Sequence, residues 1–261
     1  MSIREIKYKA LLETCQDAST PPETLARLAK DLRARVFVEA LCENPALPVK
    51  ELLILGARAP ASLLRNPVWP LLILAESSFL ERMPLSTQGA LAGCPSSPPD
   101  LIRRLAGTNR RPAAVRAVAA ANSATPLDVL TSFLRAAASV RAALARNEKL
   151  PIAWHGRLAK DPSSAVRASL ACRRDVSPAL LMQLSRDRSL LKVRVSVAGN
   201  PKTPYPALYN LSRSTLSEIQ RALQENRRWN GPLQLAGVAH PHDLGLSASG
   251  ACARSSSATD A

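Results

Sequence analysis

One short motif returns along the chain and limits the fold more than any other feature. Its fullest copies are Asn44-Pro45-Ala46-Leu47-Pro48, Asn66-Pro67-Val68-Trp69-Pro70 and Asn200-Pro201-Lys202-Thr203-Pro204. Weaker copies run from Asp17 to Pro21, Cys94 to Pro98, Asn122 to Pro126 and Asn147 to Pro151. Seven residues before the Asn stands a Val-Arg pair: Val115-Arg116, Val140-Arg141 and Val193-Arg194. Val166-Arg167 introduces a further copy, with Arg173 at the Asn position and Ser177 at the Pro position. A last copy runs from Ile219 to Asn226. The Asn-equivalent positions are 17, 44, 66, 94, 122, 147, 173, 200 and 226, at intervals of 22 to 28 residues. A fixed period of this size marks stacked structural units. The 22-residue interval and the stretch Val68–Met83 fit worst, which predicts local irregularity there.

Each unit reads as two short helices. Thr20-Pro21, Ser97-Pro98, Thr125-Pro126 and Thr203-Pro204 place a side-chain oxygen at an N-cap and proline at the first helical position. Glu23, Asp100 and Asp128 follow three residues after the cap, near the spacing of a capping box. The second helix begins at the Val-Arg pair and ends at the Asn, which tolerates the left-handed closing conformation. The proline after it prevents continuation. Helices of two to three turns do not stand alone in water, so neighbouring units must bury each other's Val, Ala and Leu faces, as in a solenoid.

The recurring Val-Arg-x-x-Val-Ala-x-Asn-Pro-x-Thr-Pro pattern of Val193 to Pro204 resembles the leucine-rich repeat variant family, within the armadillo/HEAT-like superhelices. The resemblance covers about residues 10–230 and is strongest over 110–212. It implies an all-α, right-handed solenoid of eight to nine two-helix repeats, with some second helices of 3₁₀ type and no sheet. A fold does not fix a function. The family's best-known member carries an iron–sulfur cluster on an N-terminal cysteine cluster. This sequence has no such cluster, so no cofactor is expected.

The organisation follows: a capping helix over 1–16 with Ile3, Ile6 and Leu11 inward, a solenoid over 17–230, and a degenerate last repeat and disordered tail over 231–261. Cys15 and Cys42 stand two residues before the Asn position, where other repeats carry Ala92, Ala120, Ala145, Ala171 and Ala198. They read as small buried residues and not as a disulfide. Cys252 reads as an exposed tail thiol. No run of about 18 apolar residues exists and no signal-peptide core opens the chain. A cytoplasmic protein that spans no membrane is expected.

Charge is divided unevenly. Residues 1–99 carry 11 basic and 10 acidic groups, 100–230 carry 23 and 8, and 231–261 carry 1 and 2. Nearly the whole excess of +15 therefore lies in 100–230, a field that attracts polyanions. Arg116, Arg141, Arg167 and Arg194 share one repeat position, and stacking would space them about 10 Å apart. Such a ladder can follow a phosphate backbone. The structural alternative, which the resemblance to HEAT-like repeats implies, is an Arg–Asp pair with the preceding turn of the same repeat. Asp161 before Arg167 and Asp187 before Arg194 suit that alternative, whereas Arg116 and Arg141 have no such Asp. Arg104, Arg110, Arg111, Arg146, Arg173 and Arg174 complete the candidate polyanion-binding set, with further cations in Arg103 and Arg227-Arg228.

Few aromatics accompany these cations, which argues against single-strand base stacking and for backbone or shape recognition. Catalysis has little to stand on. His155 reads as structural, and His240, His242 and Asp243 make a poor metal site. No phosphate loop or nucleophile motif appears, and no small-molecule substrate is evident. Trp154, Trp229 and Asp161 are the residue types that HEAT-like DNA alkylation-repair glycosylases use, but no motif joins them. The expected function is a non-catalytic scaffold that engages DNA or RNA backbone, or an acidic protein. A protein–protein adaptor with incidental charge is the alternative.

Overall fold

The computed structural model describes residues 3–75, 78–108 and 110–231. The expectations for Cys252, for His240, His242 and Asp243, and for the tail from 232 onward lie outside the described residues, as does the side chain of Ile3.

The fold is an all-α solenoid. Helix α1 (Ile3–Gln16) is followed by pairs: α2 (Pro22–Asp31) with α3 (Arg35–Glu43), and α4 (Val49–Gly56) with α5 (Pro60–Arg65). Two short helices, α6 (Trp69–Ala75) and α7 (Phe79–Arg82), then precede α8 (Leu85–Gly93). The pairs resume with α9 (Pro99–Ala106) and α10 (Ala113–Ala121), α11 (Leu127–Phe133) and α12 (Ala138–Leu144), and α13 (His155–Ala159) and α14 (Ser164–Ala171). The array ends on α15 (Pro178–Ser185) with α16 (Leu191–Gly199), and α17 (Tyr205–Ser212) with α18 (Ser217–Glu225). The irregularity expected over Val68–Met83 is there: a broken pair, α6 and α7, stands where other repeats have one helix. A 3₁₀ turn, Ile152–Trp154, opens the first helix of its repeat, not a second helix as the resemblance implied.

The second helices pack in chain order, α1 on α3, α3 on α5, then α8, α10, α12, α14, α16 and α18, and form the closer of two layers. Their small side chains allow this approach. A Cβ placed on Gly93 would come within 2.6 Å of Val118 in the next helix. Buried Leu, Val and Ala from both layers, with Phe133 the largest fully buried side chain, make one continuous core.

The recurring Asn is the joint between repeats. Asn44, Asn66, Asn122, Asn147, Asn200 and Asn226 are all buried. Each amide nitrogen donates to two backbone carbonyls of the repeat before, at 2.6 to 3.0 Å. Asn122 takes Ala92 and Cys94, Asn147 takes Ala120 and Asn122, and Asn226 takes Ala198 and Asn200. The remaining three repeat the pattern. Each Oδ1 accepts from the backbone N–H two residues on, as from Ala124 and Lys202. The side chain thus satisfies two buried carbonyls beyond the reach of the helical ladder. The left-handed closure expected for these residues is not found. Asn122 has φ −76° and ψ 126°, and Asn200 has φ −75° and ψ 124°. Extended backbone is what points the amide at the neighbouring repeat.

The caps also differ from expectation. Proline occupies the N-cap before α2, α4, α8, α9, α11 and α17, without a side-chain cap bond. The hydroxyls before those prolines turn back instead. Thr20 donates to the carbonyl of Thr14, Ser97 to Leu91, Thr125 to Ala119 and Thr203 to Val197. The carbonyls they satisfy end a helix inside the stack, where an unpaired acceptor costs most. Ser177 alone of the expected Pro-step positions caps its helix, taking a bond from the N–H of Leu180. In α1, Leu11 faces the core but Ile6 is 50% exposed, against expectation.

Candidate polyanion interface

The arginine column is a set of clamps on the turns within repeats. Arg141 donates through Nε and Nη2 to both oxygens of Asp161, at 2.7 and 2.9 Å, and through Nη1 to the carbonyl of Ala136 in its own turn. Arg167 likewise bonds Asp187 at 2.6 Å and the carbonyls of Asp161 and Pro162. These pairings correct the expected ones. The acid belongs to the turn of the following repeat, 20 residues on, and not to the turn before. Arg141 therefore has an Asp, and Arg194 does not. The same column contains Gln88 and Gln220, whose amides donate to carbonyls of their own turns.

Burial works against the charge of Asp161 and Asp187. The arginine bonds and the N–H groups of Ser163 and Ser189 outweigh it and hold both carboxyls down, Asp187 to about 2. The Arg141–Asp161 pair is bidentate, the stronger form of charge-assisted bond, whereas Arg167 meets Asp187 through Nε alone and donates from Nη2 to the Ser189 hydroxyl.

Arg116 and Arg194 occupy the column without an acid. Arg116 is 6% exposed and lies over the ring of Phe133, 5.4 Å from its centre. Its Nε and Nη2, like Nε of Arg194, find no acceptor among the described residues. Position 136 is alanine where the next repeat has Asp161.

Arg173 is a rung of the ladder. Its Nη1 donates to the carbonyls of Ala145 and Asn147, the two that an Asn would take, and Asp175 holds the rest of the guanidinium. Arg111 is largely buried and paired with Glu81 at 3.1 Å. Five of the candidates, Arg111, Arg116, Arg141, Arg167 and Arg173, are thus engaged in holding the fold, and Arg194 is half-buried. Arg104, Arg110 and Arg174 stand exposed without a described partner, and exposed Arg146 has one long contact, 3.5 Å, to Ser169.

The structure shows another row that the sequence reading passed over. Lys30, Arg135, Lys160, Arg186 and Arg213 each stand nine residues after the proline that precedes their helix, Pro21, Pro126, Pro151, Ser177 (at the proline position) and Pro204. All are exposed, and none has a described side-chain partner. Each lies at the C-terminal end of a first helix, where a cation also suits the helix dipole. They occupy the edge formed by the turns within repeats, opposite the Asn rungs. Arg33, Arg58, Arg110 and Arg188 lie on the same edge. Lys30, Arg33, Lys50 and Arg58 border a cavity of about 410 Å³ there, with Glu51 the one acid in its wall.

The other singled-out residues fall in separate places. Cys15 and Cys42 are buried free thiols, and burial pushes the Cys42 thiol up to about 12. His155 is buried, its Nε2 4.0 Å from the Asp175 carboxylate, and burial lowers its pKa against that charge. Trp229 stacks on Tyr205, Trp154 packs on the core, and Asp161 belongs to Arg141. No described helix is long and apolar enough to cross a membrane. No protein-family profile, curated protein or solved structure matches the chain.

Proposed function

We propose that the chain is a non-catalytic scaffold of the leucine-rich repeat variant type that engages the phosphate backbone of a nucleic acid along the edge of its turns. The row of exposed cations without a partner among the described residues, Arg135, Lys160, Arg186 and Arg213, one per repeat in four successive repeats, carries this reading. Stacked helices space them at about 10 Å, so an extended polyanion meets them in turn. The contacts are to backbone, because the edge has almost no aromatic side chain to stack a base. Binding by wild type should weaken steeply from 50 to 200 mM salt in a fluorescence-anisotropy titration. Changing the four cations together to Gln should lower the salt slope on duplex DNA by about 3.6, near 0.9 per lost phosphate contact. No binding at 50 mM would end this reading.

An adaptor for another protein is the second reading. Leu71 and Leu74, the latter 81% exposed, stand on α6, and Leu74 with Trp69 borders an apolar cavity of about 690 Å³.

A further inference from the structure

Two residues of α4 depart from what other repeats carry at the same positions. Six residues after the proline position that opens each first helix stand Arg27, Arg104, Ser132, Arg157, Gln183 and Asn210, all polar and exposed. At that position α4 has Ile54, 54% exposed. Two residues after the proline, Glu23, Asp100 and Asp128 put an acid at the positive end of their helices, and α4 has Lys50. An aliphatic side chain in water and a cation at a helix N-terminus both run against local preference. Such exceptions collect at functional sites.

The two exceptions share one face. Lys50, Ile54 and Arg58 follow one another at intervals of four, so the isoleucine stands between two cations along α4 and the turn after it. Lys30 and Arg33 face them from the end of α2 and its turn. These four cations and Ile54 line the cavity of about 410 Å³ described above, over a floor of buried Ala29 and Leu55. Arg58 also donates to the carbonyl of Arg33 at 2.7 Å, which ties the two turns together. Lys30, Arg33 and Lys50 are exposed without a described partner, and half-buried Glu51 is the one acid in the wall. The cavity stands apart from the row of Arg135 to Arg213, because Ala57 and Gly107 hold the row position in repeats between.

A phosphate backbone would satisfy these cations and leave Ile54 in water. A ligand that uses the whole site carries negative charge on either side of an aliphatic group. We infer that the groove between α2 and α4 docks an acidic segment of a partner protein, with one aliphatic side chain on Ile54 and Leu55 and carboxylates on Lys30, Arg33 and Lys50. Four cations to one acid, with the exposed isoleucine among them, select this occupant by charge complementarity. The inference is independent of the backbone-binding reading. Where both hold, the scaffold joins an acidic protein to a nucleic acid.

The test uses the full chain at low salt and two labelled peptides, a run of aspartates with leucine at its centre and the same peptide with asparagine there. Wild type should bind the leucine peptide about tenfold more tightly in fluorescence anisotropy, the gain from covering most of one aliphatic side chain. Ile54→Asn should remove that preference. Arg33→Glu with Lys50→Glu should weaken both peptides about tenfold or more. The three positions are exposed, so these variants should keep the wild-type urea midpoint. Changing Arg135, Lys160, Arg186 and Arg213 to Gln should leave peptide binding intact. Equal binding of both peptides by wild type overturns the proposal, as does binding that survives the double charge reversal or is lost with the row. Failure to bind either peptide also overturns it, and leaves the backbone reading to its own titration.

Discussion

A single asparagine does several jobs at each joint. Asn122 serves the carbonyls of Ala92 and Cys94 and the N–H of Ala124. Asn122→Ala leaves three backbone groups without their partner, which should cost about 3 kcal/mol or more, read as a lower urea midpoint. The ladder also explains its own exceptions. Asp17 stands at the first position, where only α1 precedes it. It accepts from Ser19, as the other rungs accept from their i+2 N–H, and has no donor to send backwards. At 173 an arginine reaches the same two carbonyls by a longer side chain. Arg116 supplies a test of the clamp. Ala136→Asp should place a carboxylate where its neighbour Arg141 finds Asp161. The free energy of unfolding should rise by about 1 to 3 kcal/mol, the range for a charge-assisted bond, read as a higher urea midpoint, and no gain would show that Arg116 is satisfied by water. The Asn positions were plain in the sequence. Their purpose was not, because the bonds run to backbone atoms 22 to 30 residues away, which a local reading of turn preference does not see.

At the scale of the helix, the short elements are held mainly by what crosses between them. The Asp161 and Asp187 clamps make this dependent on pH. Their carboxyls are held below the ordinary value of about 3.9 in the fold. A lowered pKa contributes stability that is complete above the unfolded value and is lost as pH falls through the folded one. The window for Asp187 is therefore pH 4 to about 2. The loss should be about 2 kcal/mol from this residue. Asp187→Asn should flatten that part of a stability–pH curve. The sequence located the clamp arginines but assigned their acids to the wrong side, since the reach across a repeat interface is a property of packing. The cation row was missed for a related reason. Counted back from the Asn it drifts between 12 and 14 residues, because the turns differ in length. Counted forward from the proline position it is constant at nine. The helix before the turn fixes it, not the one after.

For the whole molecule, charge and architecture separate. The excess positive charge counted over 100–230 includes arginines spent on internal bonds, so net charge overstates what a partner meets. Part of the surface share lies on the turn edge and reaches back to Lys30 and Arg58, and another part, exposed Arg146, Lys149, Arg174, Lys202, Arg227 and Arg228, stands beside the Asn rungs. Arg141→Gln and Arg186→Gln separate the two kinds. The first should lower stability with a small effect on the salt slope of nucleic-acid binding. The second should change the free energy of unfolding by no more than about 0.5 kcal/mol and reduce the slope by about 0.9.

Every rung reads only the peptide backbone of its neighbour, never a side chain. A junction of that kind is indifferent to what sequence it joins. As far as the rung is concerned, any repeat can follow any other, as couplings of one gauge join different wagons, and only the Arg141–Asp161 and Arg167–Asp187 clamps ask for a matched neighbour. The surface between rungs is then free to change its chemistry one repeat at a time. An array of this design can lengthen, shorten or exchange its modules and keep the same joint.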